Sequence, residues 1–344
     1  MDHSRRSQRD SAHHHRRAGT RPTAGTEYAV TDFAEFHDEL RFVAADLLAK
    51  DRAVKWLSLV DAGWVGLEVP EEFGGAGATF AEVAVICEEL GRAAAATSYL
   101  GSTVLAVGVL HMLAPSDVRD ELFTGVASGR IRLAVAMAGQ ENFVPDAEGA
   151  DHLLRVTPDG VAVVDPHVVP RPVLDETRQL ASVARSGAAE TLRFAAAAGD
   201  PLRLLHNRAA VAIAADSLGI AEAMLAAAVD YVKVRHQFGR PIGSFQAVKH
   251  ACADMLVEID VARELVRAAV ESVELGRDDP AASMAKAYTT GVAVDIAGKA
   301  MQLHGGIGYT WESGIHVYLK RAALNRSLFG SPAAHRRQLA KRYR

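Results

Sequence analysis

The clearest structural signal lies in SFQAVKHACADMLVEIDVARELVRAAVESVEL, residues 244–275, where apolar residues recur with a helical period. These residues step by four and by three positions: Val248, Cys252, Met255, Ile259, Ala262, Val266, Ala269 and Val273. This spacing is typical of helices that pack side by side at a shallow angle. Residues 284–303 repeat the pattern after a turn at 276–280. The sequence therefore predicts a bundle of long helices over residues 201–344.

Two regions of different character precede this bundle. Residues 31–130 show helical periodicity, interrupted at WVGLEVPEEFGGAG, residues 64–77, where a proline and several glycines forbid a continuous helix. The first helix there is predicted to bury a stripe of Leu40, Val43, Leu47 and Leu48. Residues 131–200 contain short β-branched runs between Gly, Pro and Asp, as in strands joined by turns. The predicted fold is mainly α with a small β domain between two helical domains.

Composition and charge limit the classes of partner. The formal net charge of −4 gives no electrostatic reason to expect nucleic acid or an anionic membrane. Neither a secretory leader nor an apolar run long enough to span a bilayer is evident, so we expect a cytoplasmic protein without a membrane partner. The two cysteines, Cys87 and Cys252, lie in apolar helical patterns, and neither a disulfide nor a metal site is expected.

Residues 1–30 form a separate region, rich in Arg and His and nearly devoid of apolar residues. Such a segment cannot bury enough surface to offset the entropy lost on ordering. We therefore predict a disordered tail, in which the run His13–His15 is solvated and does not form a metal site.

Two segments of the C-terminal half are more specific than a bundle requires. RHQFGRPIGSFQ, residues 235–246, places an arginine, an aromatic ring and an amide around a turn, which suits a pyrophosphate and an adenine. LHGGIGYTWE, residues 303–312, follows Gln302 with glycines that allow a ligand to approach the backbone closely. Each segment alone is a weak signal, because such loops commonly only connect helices.

Together with WVGLEVPEEFGGAG and the helix that ends in CEELGR, these segments resemble the acyl-CoA dehydrogenase family, from about residue 33 to the end of the chain. The resemblance implies an N-terminal helical domain, a β domain and a C-terminal four-helix bundle. It also implies FAD, bound at a subunit interface with its ADP half held partly by the neighbouring subunit. Arg235 matches the family's pyrophosphate arginine and Phe238 the ring near the adenine. The full set of matched ADP-side residues is Arg235, Phe238, Gln246, Gln302, Gly305 and Gly306.

The family's chemistry removes a proton beside a CoA thioester while a hydride passes to FAD, so a carboxylate base is needed. The commonest position of that glutamate falls on Phe329, and the alternative position, ten residues before Gly219, falls on Ala209. Neither side chain can accept a proton. Glu312 matches a glutamate that many relatives carry in addition to their base, so a structural role is favoured. The candidate histidines are assigned to backbone hydrogen bonds and not to catalysis: His206, His304 and His316.

The middle region also departs from the family, which normally has a larger β domain there. In relatives a T-E-P-x-A-G-S-D-like segment and a tryptophan-containing strand pack against the flavin ring. This chain has AMAGQENFVPDAEGADHLL, residues 136–154, and no tryptophan between Trp64 and Trp311. The resemblance therefore predicts that this subunit's own flavin-ring side has been lost.

A preserved ADP side without a base predicts the non-catalytic half of a heteromer whose unlike partner supplies the glutamate. Such pairing resembles the α2β2 acyl-CoA dehydrogenases of bacterial sterol side-chain degradation, and it implies a bulky acyl-CoA substrate. Two alternatives stay open. One is a self-sufficient dehydrogenase with Glu312 as its base, and the other is a flavin-free assembly or regulatory protein on the same scaffold.

Overall fold

The computed structural model describes residues 30–184, 191–196, 199–277 and 280–342. The predicted tail, up to residue 29, and the run His13–His15 lie outside these residues. The described residues form ten α-helices: α1 (Val30–Lys50), α2 (Trp56–Asp61), α3 (Phe80–Arg92), α4 (Ala106–Met112), α5 (Asp117–Ala127), α6 (Pro201–Val234), α7 (Gln246–Glu274), α8 (Ala281–His304), α9 (Ile315–Ser327) and α10 (Pro332–Arg342).

Helices α1 to α5 build the N-terminal helical region. Helix α3 begins with a capping box, in which the Thr79 hydroxyl accepts from the backbone and Glu82 bonds back to the Thr79 N–H. The predicted break at residues 64–77 contains two short 3₁₀ turns. On α1 the prediction for Val43 was wrong: it is 46% exposed, because the neighbouring Ala44 occupies the buried position on that face.

The middle region is a small β module of seven strands: β1 (Leu133–Met137), β2 (Val144–Pro145), β3 (His152–Thr157), β4 (Gly160–Val164), β5 (Val168–Arg171), β6 (Leu180–Val183) and β7 (Thr191–Leu192). One sheet has the order β1-β3-β4-β7 and the other the order β2-β6-β5. In these two sheets, as far as the structure describes them, β1 and β3 pair in parallel and the other strand pairs are antiparallel. Every residue of β1 is buried, which anchors the module against the helices.

Helices α6 to α9 form the C-terminal bundle, with α10 packed on α8. The predicted stripe on α7 faces inwards, since Met255, Ile259, Ala262, Val266 and Ala269 are all buried. Together with the helical N-terminal region and the small β module, this bundle confirms the predicted fold class. Helix α6 begins at Pro201, behind an Asp200 side chain that accepts from a first-turn N–H.

Helix α6 is apolar over most of its length. An 18-residue window of it has a mean hydropathy of 1.6, so the expectation that no run is long and apolar enough to cross a membrane was wrong. The physical reason is burial, because 78% of that window lies inside the protein as a core helix. No other helix of the described residues passes the same test of length and composition.

Two glycines allow α3 and α6 to approach until their backbones touch. A Cβ at Gly219 would lie 1.8 Å from the Glu88 carbonyl oxygen, and one at Gly91 would lie 1.9 Å from the Asp216 carbonyl oxygen. Contact at such distances is possible only without side chains. This crossing fixes α6, which carries Ala209 and His206, against the N-terminal helices.

Candidate functional site

The segment after α6 forms a tight hairpin that presents an aromatic ring to solvent. Strands β8 (His236–Gln237) and β9 (Arg240–Pro241) pair through a turn in which Phe238 and Gly239 have φ of 52° and 77°. Two-residue hairpins with positive φ at both central residues match the natural twist of strands. As a result Phe238 is 91% exposed, with its ring edge against Phe245.

The end of α8 lies beside this hairpin. Phe238 and Gln302 line one surface cavity of about 510 Å³, together with Phe245 and Lys299. Gly305 ends α8 with a φ of 62°, and nothing lies within 4 Å of a Cβ built on Gly305 or Gly306. We call the hairpin at 235–246 and the residues 302–306 the dinucleotide surface.

Two further residues of the predicted set occupy this surface without lining that cavity. Arg235 is the exposed residue that ends α6, and its backbone carbonyl accepts from Ile242 N–H at 2.7 Å. Gln246 is the exposed first residue of α7. The structure thus brings Phe238 and Gln302 together directly and places the other four residues nearby in the chain. Their role in holding FAD stays a prediction.

Phe329, which the sequence analysis matched to the commonest base position, lies in a turn between α9 and α10 and is only 6% exposed. Its φ of 52° is in the left-handed region, which is unusual for a residue with a large side chain. Phe329 lines a cavity of about 420 Å³ with Leu328 and with residues of the segment 139–143, among them Gln140 and Phe143. That segment belongs to residues 136–154, so the two stretches that the sequence analysis matched to departures from the family line one cavity.

Two buried side chains hold the backbone of this turn. The Lys286 ammonium donates to the carbonyls of Asn325, at 3.0 Å, and Gly330, at 2.8 Å. His335 Nε2 donates to the Phe329 carbonyl at 2.9 Å. Burial lowers the pKa of Lys286 to about 7 and that of His335 to about 4. We call Lys286 and His335 the turn clamp; the sequence analysis did not identify it.

His206 adjoins the clamp. Its ring stacks on that of His335 with centroids 5.8 Å apart, and its Nδ1 accepts from Gln140 Nε2 at 3.4 Å. Burial, and then the charge of Lys286, lower its pKa. The expectation that a backbone group satisfies His206 was therefore wrong, since a side chain and a second imidazole contact it instead.

The other candidates have different surroundings. Ala209 is fully buried in α6. Glu312 is exposed on the 3₁₀ turn Trp311–Ser313, and a hydrogen bond from the Thr310 side chain lowers its pKa. His304 Nδ1 lies 2.7 Å from the Ala300 carbonyl, as expected. His316 Nδ1 is buried without a hydrogen-bond partner among the described residues, so the expected backbone contact is wrong there.

A buried ionic network connects α6, α9 and the β module. Arg321 donates to both carboxylate oxygens of Asp216, and Arg178 lies 2.9 Å from the same carboxylate. Burial alone raises the pKa of Asp216, but the guanidinium groups of Arg321 and Arg178 lower it overall. Asn325, whose carbonyl binds Lys286, also donates to Asp216. The sequence signal for this network was an aspartate inside the apolar run of α6.

No group of three or more His, Cys, Asp or Glu side chains within the part of the chain that the structure describes could hold a metal ion. Both cysteines are free thiols, with Cys87 buried and Cys252 half-buried. Burial raises the pKa of Cys87 to about 12, which keeps the thiol protonated and unreactive.

Comparisons with known proteins agree with this architecture. Residues 27–130 match the family model described as acyl-CoA dehydrogenase, N-terminal domain, and residues 202–344 match acyl-CoA dehydrogenase, C-terminal domain. The chain is 36% identical to acyl-CoA dehydrogenase IpdE2 of Mycolicibacterium smegmatis, over 80% of this chain and 83% of that protein.

Solved structures of acyl-CoA dehydrogenases share the fold of this chain. The Tcur3481-Tcur3483 steroid ACAD G363A variant superposes with a TM-score of 0.79 at 26% identity, covering 90% of this chain and 97% of that chain. The ChsE4-ChsE5 complex from Mycobacterium tuberculosis shares the fold with a TM-score of 0.72 at 23% identity, covering 92% and 97%. The two matched family models and the identity to IpdE2 show that this chain belongs to the acyl-CoA dehydrogenase family.

Proposed function

We propose that this chain is the base-less subunit of an FAD-dependent acyl-CoA dehydrogenase, and that α,β-dehydrogenation requires an unlike subunit with the catalytic glutamate. The observation that carries the proposal is Phe329. Its turn is held through main-chain carbonyls, yet its side chain is a buried hydrocarbon ring. The C–H bond next to a thioester is weakly acidic, so a turn without a carboxylate cannot take up that proton at a useful rate.

FAD, when bound, supplies the hydride acceptor of this chemistry. The ADP-side residues fit such a ligand, because Gly305 and Gly306 leave open space for close approach and the Phe238 ring is available for stacking. The exposed Arg235 guanidinium suits a pyrophosphate, whose oxygens accept charged hydrogen bonds from the planar fork. We assign these residues to the flavin of the neighbouring subunit. This chain's own flavin-ring side has a substituted segment packed near Phe329 instead.

The comparisons support an unlike partner and a bulky substrate. The Tcur3481-Tcur3483 protein is described as a steroid ACAD and carries two chain names. By analogy we assign this chain to an α2β2 assembly that oxidises a steroid-derived CoA thioester in the cytoplasm. The analogy rests on relatives alone, and co-expression with an unlike subunit tests it.

The experiment is co-expression with an unlike homologue that carries the glutamate, followed by measurement of native mass, flavin content and acyl-CoA oxidation. We expect a yellow, active complex, and a chain that alone binds little FAD. Arg235→Ala in this chain should lower the flavin content of the complex without unfolding it. Arg267→Ala is the matched control, because Arg267 is an exposed arginine of α7 whose hydrogen-bond partner among the described residues is Glu264 in the same helix.

Other outcomes would assign the alternatives. A chain that alone is yellow and oxidises acyl-CoA, and that loses proton abstraction but not flavin as Glu312→Gln, would be a self-sufficient enzyme. A complex whose flavin content is unaffected by Arg235→Ala would indicate a flavin-free assembly role for this chain. Either result overturns the proposed division of labour.

A further inference from the structure

The hairpin after α6 holds its exposed aromatic ring on an unusual backbone conformation. Phe238 has a φ of 52°, in the left-handed region that residues with large side chains rarely adopt, and its side chain is 91% exposed. Such an outlier persists only where the surrounding structure fixes it, and it points to a function of the residue. The backbone therefore fixes where the Phe238 ring leaves the hairpin. It does not fix which way the ring faces.

A second ring supports the first. The 3₁₀ turn Ile242–Ser244 follows β9 and leads to Phe245, whose N–H donates to the Ile242 carbonyl at 3.1 Å. The rings of Phe238 and Phe245 meet edge to face, with centroids 6.1 Å apart and planes at 84°. This is one of the favoured geometries of aromatic pairs. Phe245 is half-buried, so it can serve as the fixed partner against which the exposed Phe238 ring rests.

A cation lies over the supporting ring. The guanidinium carbon of Arg240 is 4.1 Å from the centroid of the Phe245 ring, within the roughly 6 Å range of a cation–π contact. Arg240 belongs to β9, where it pairs with Gln237 across the hairpin. Phe238 and Phe245 both line the cavity of the dinucleotide surface, whereas Arg240 does not. Arg240 therefore contacts the supporting ring and not the space in which a ligand would lie.

We propose that Arg240 is a positioning residue of the dinucleotide surface, which holds the Phe245 ring so that Phe245 orients Phe238 to stack on the adenine of the flavin. This inference rests on the proposed function, which assigns that surface to the flavin of the neighbouring subunit. A ring that is already held in its binding orientation loses less freedom when the ligand arrives, so the affinity is higher. The two arginines of the hairpin then have different roles, because Arg235 binds the pyrophosphate and Arg240 acts through a ring.

The test is a double-mutant cycle in the complex with the unlike subunit, measured as the dissociation constant of FAD after the flavin has been removed. Arg240→Gln should weaken FAD binding by about twofold to fivefold, the size expected of an exposed cation–π contact. With Phe245→Leu, Arg240→Gln should have no further effect, because the ring through which it acts is gone. With Phe245→Tyr, which keeps an aromatic face, the effect of Arg240→Gln should remain. Arg267→Gln, at an exposed position of α7, is the matched control and should leave the affinity unchanged.

Two outcomes would overturn this role of Arg240. An equal loss of affinity from Arg240→Gln with and without Phe245→Leu would show that the guanidinium contacts the flavin directly. An affinity unchanged by Arg240→Gln but lowered by Phe238→Ala would show that the Phe238 ring needs no such support. The proposed function fails by a different result: in that case neither Arg235→Ala nor Phe238→Ala changes the flavin content of the complex. The two failures are therefore distinguishable.

Discussion

The buried ammonium of Lys286 makes a sharp prediction about the dependence of stability on pH. Lys286 is completely buried and its pKa falls from 10.5 to about 7 because of burial. In the unfolded chain the ammonium keeps its ordinary pKa. Between pH 7 and pH 10.5 the unfolded state therefore binds more protons than the folded state, and stability rises with pH across this window. The destabilisation is largest below pH 7 and disappears above pH 10.5.

The magnitude follows from the shift. Each pKa unit corresponds to about 1.4 kcal/mol. Burial of the lysine therefore lowers the unfolding free energy by about 4 kcal/mol at pH 7 and by about 2 kcal/mol at pH 9. Lys286→Met removes this titration. The unfolding free energy of the wild type relative to Lys286→Met should therefore increase by about 2 kcal/mol from pH 7 to pH 9. Lys286→Met also removes the hydrogen bonds to the carbonyls of Asn325 and Gly330. This loss changes the unfolding free energy equally at pH 7 and at pH 9, because carbonyls do not titrate.

The assay is urea denaturation of both proteins at pH 7 and pH 9, with free energies from linear extrapolation. Lys249→Met, at an exposed position of α7, is the control, and its difference from the wild type should be the same at both pH values. If the difference between the wild type and Lys286→Met were also unchanged between the two pH values, the buried ammonium would carry no desolvation penalty and the reasoning would be refuted.

Three further predictions concern packing, charge and backbone strain, all measured as unfolding free energies. Gly219→Ala should destabilise the chain by about 3 kcal/mol or more, because its Cβ would overlap a backbone oxygen of α3. Gly291→Ala, whose Cβ meets nothing within 4 Å, should stabilise the chain by up to about 1 kcal/mol, and equal effects of the two variants would contradict the close crossing of α3 and α6. Arg321→Met should lower the unfolding free energy by about 3–5 kcal/mol, because it removes the main partner of the buried Asp216 carboxylate. A decrease below about 1 kcal/mol would show that Arg178 alone is enough to stabilise that carboxylate. Phe329→Gly should be more stable than Phe329→Ala by about 1 kcal/mol, because φ at this position is 52°, where glycine is favoured over alanine. A more stable Phe329→Ala would exclude the left-handed turn.

Local patterns predicted the helices and strands well, because periodicity and turn residues are properties of neighbouring positions. The stripe on α7 and the strands at residues 133–137 and 152–157 are examples. The turn clamp was missed because Lys286 and Gly330 are 44 positions apart and only the tertiary fold brings them together. A signal was nevertheless present. A lysine among the small apolar residues of α8 requires buried acceptors, just as Asp216 within α6 requires buried cations.

The conformation of the Phe329 turn has a physical explanation in the atoms that hold it. Lys286 and His335 contact carbonyl oxygens, and every residue presents a carbonyl regardless of its side chain. Gly330 adds a steric condition, since its missing Cβ would lie 2.8 Å from His335 Nε2. None of these contacts uses the side chain at position 329. Under the proposed function, a phenylalanine at this position lacks the carboxylate that the chemistry needs, while the contacts that hold the backbone are open to any side chain. The proposed base-less subunit can therefore keep the fold of this turn without a carboxylate side chain in it.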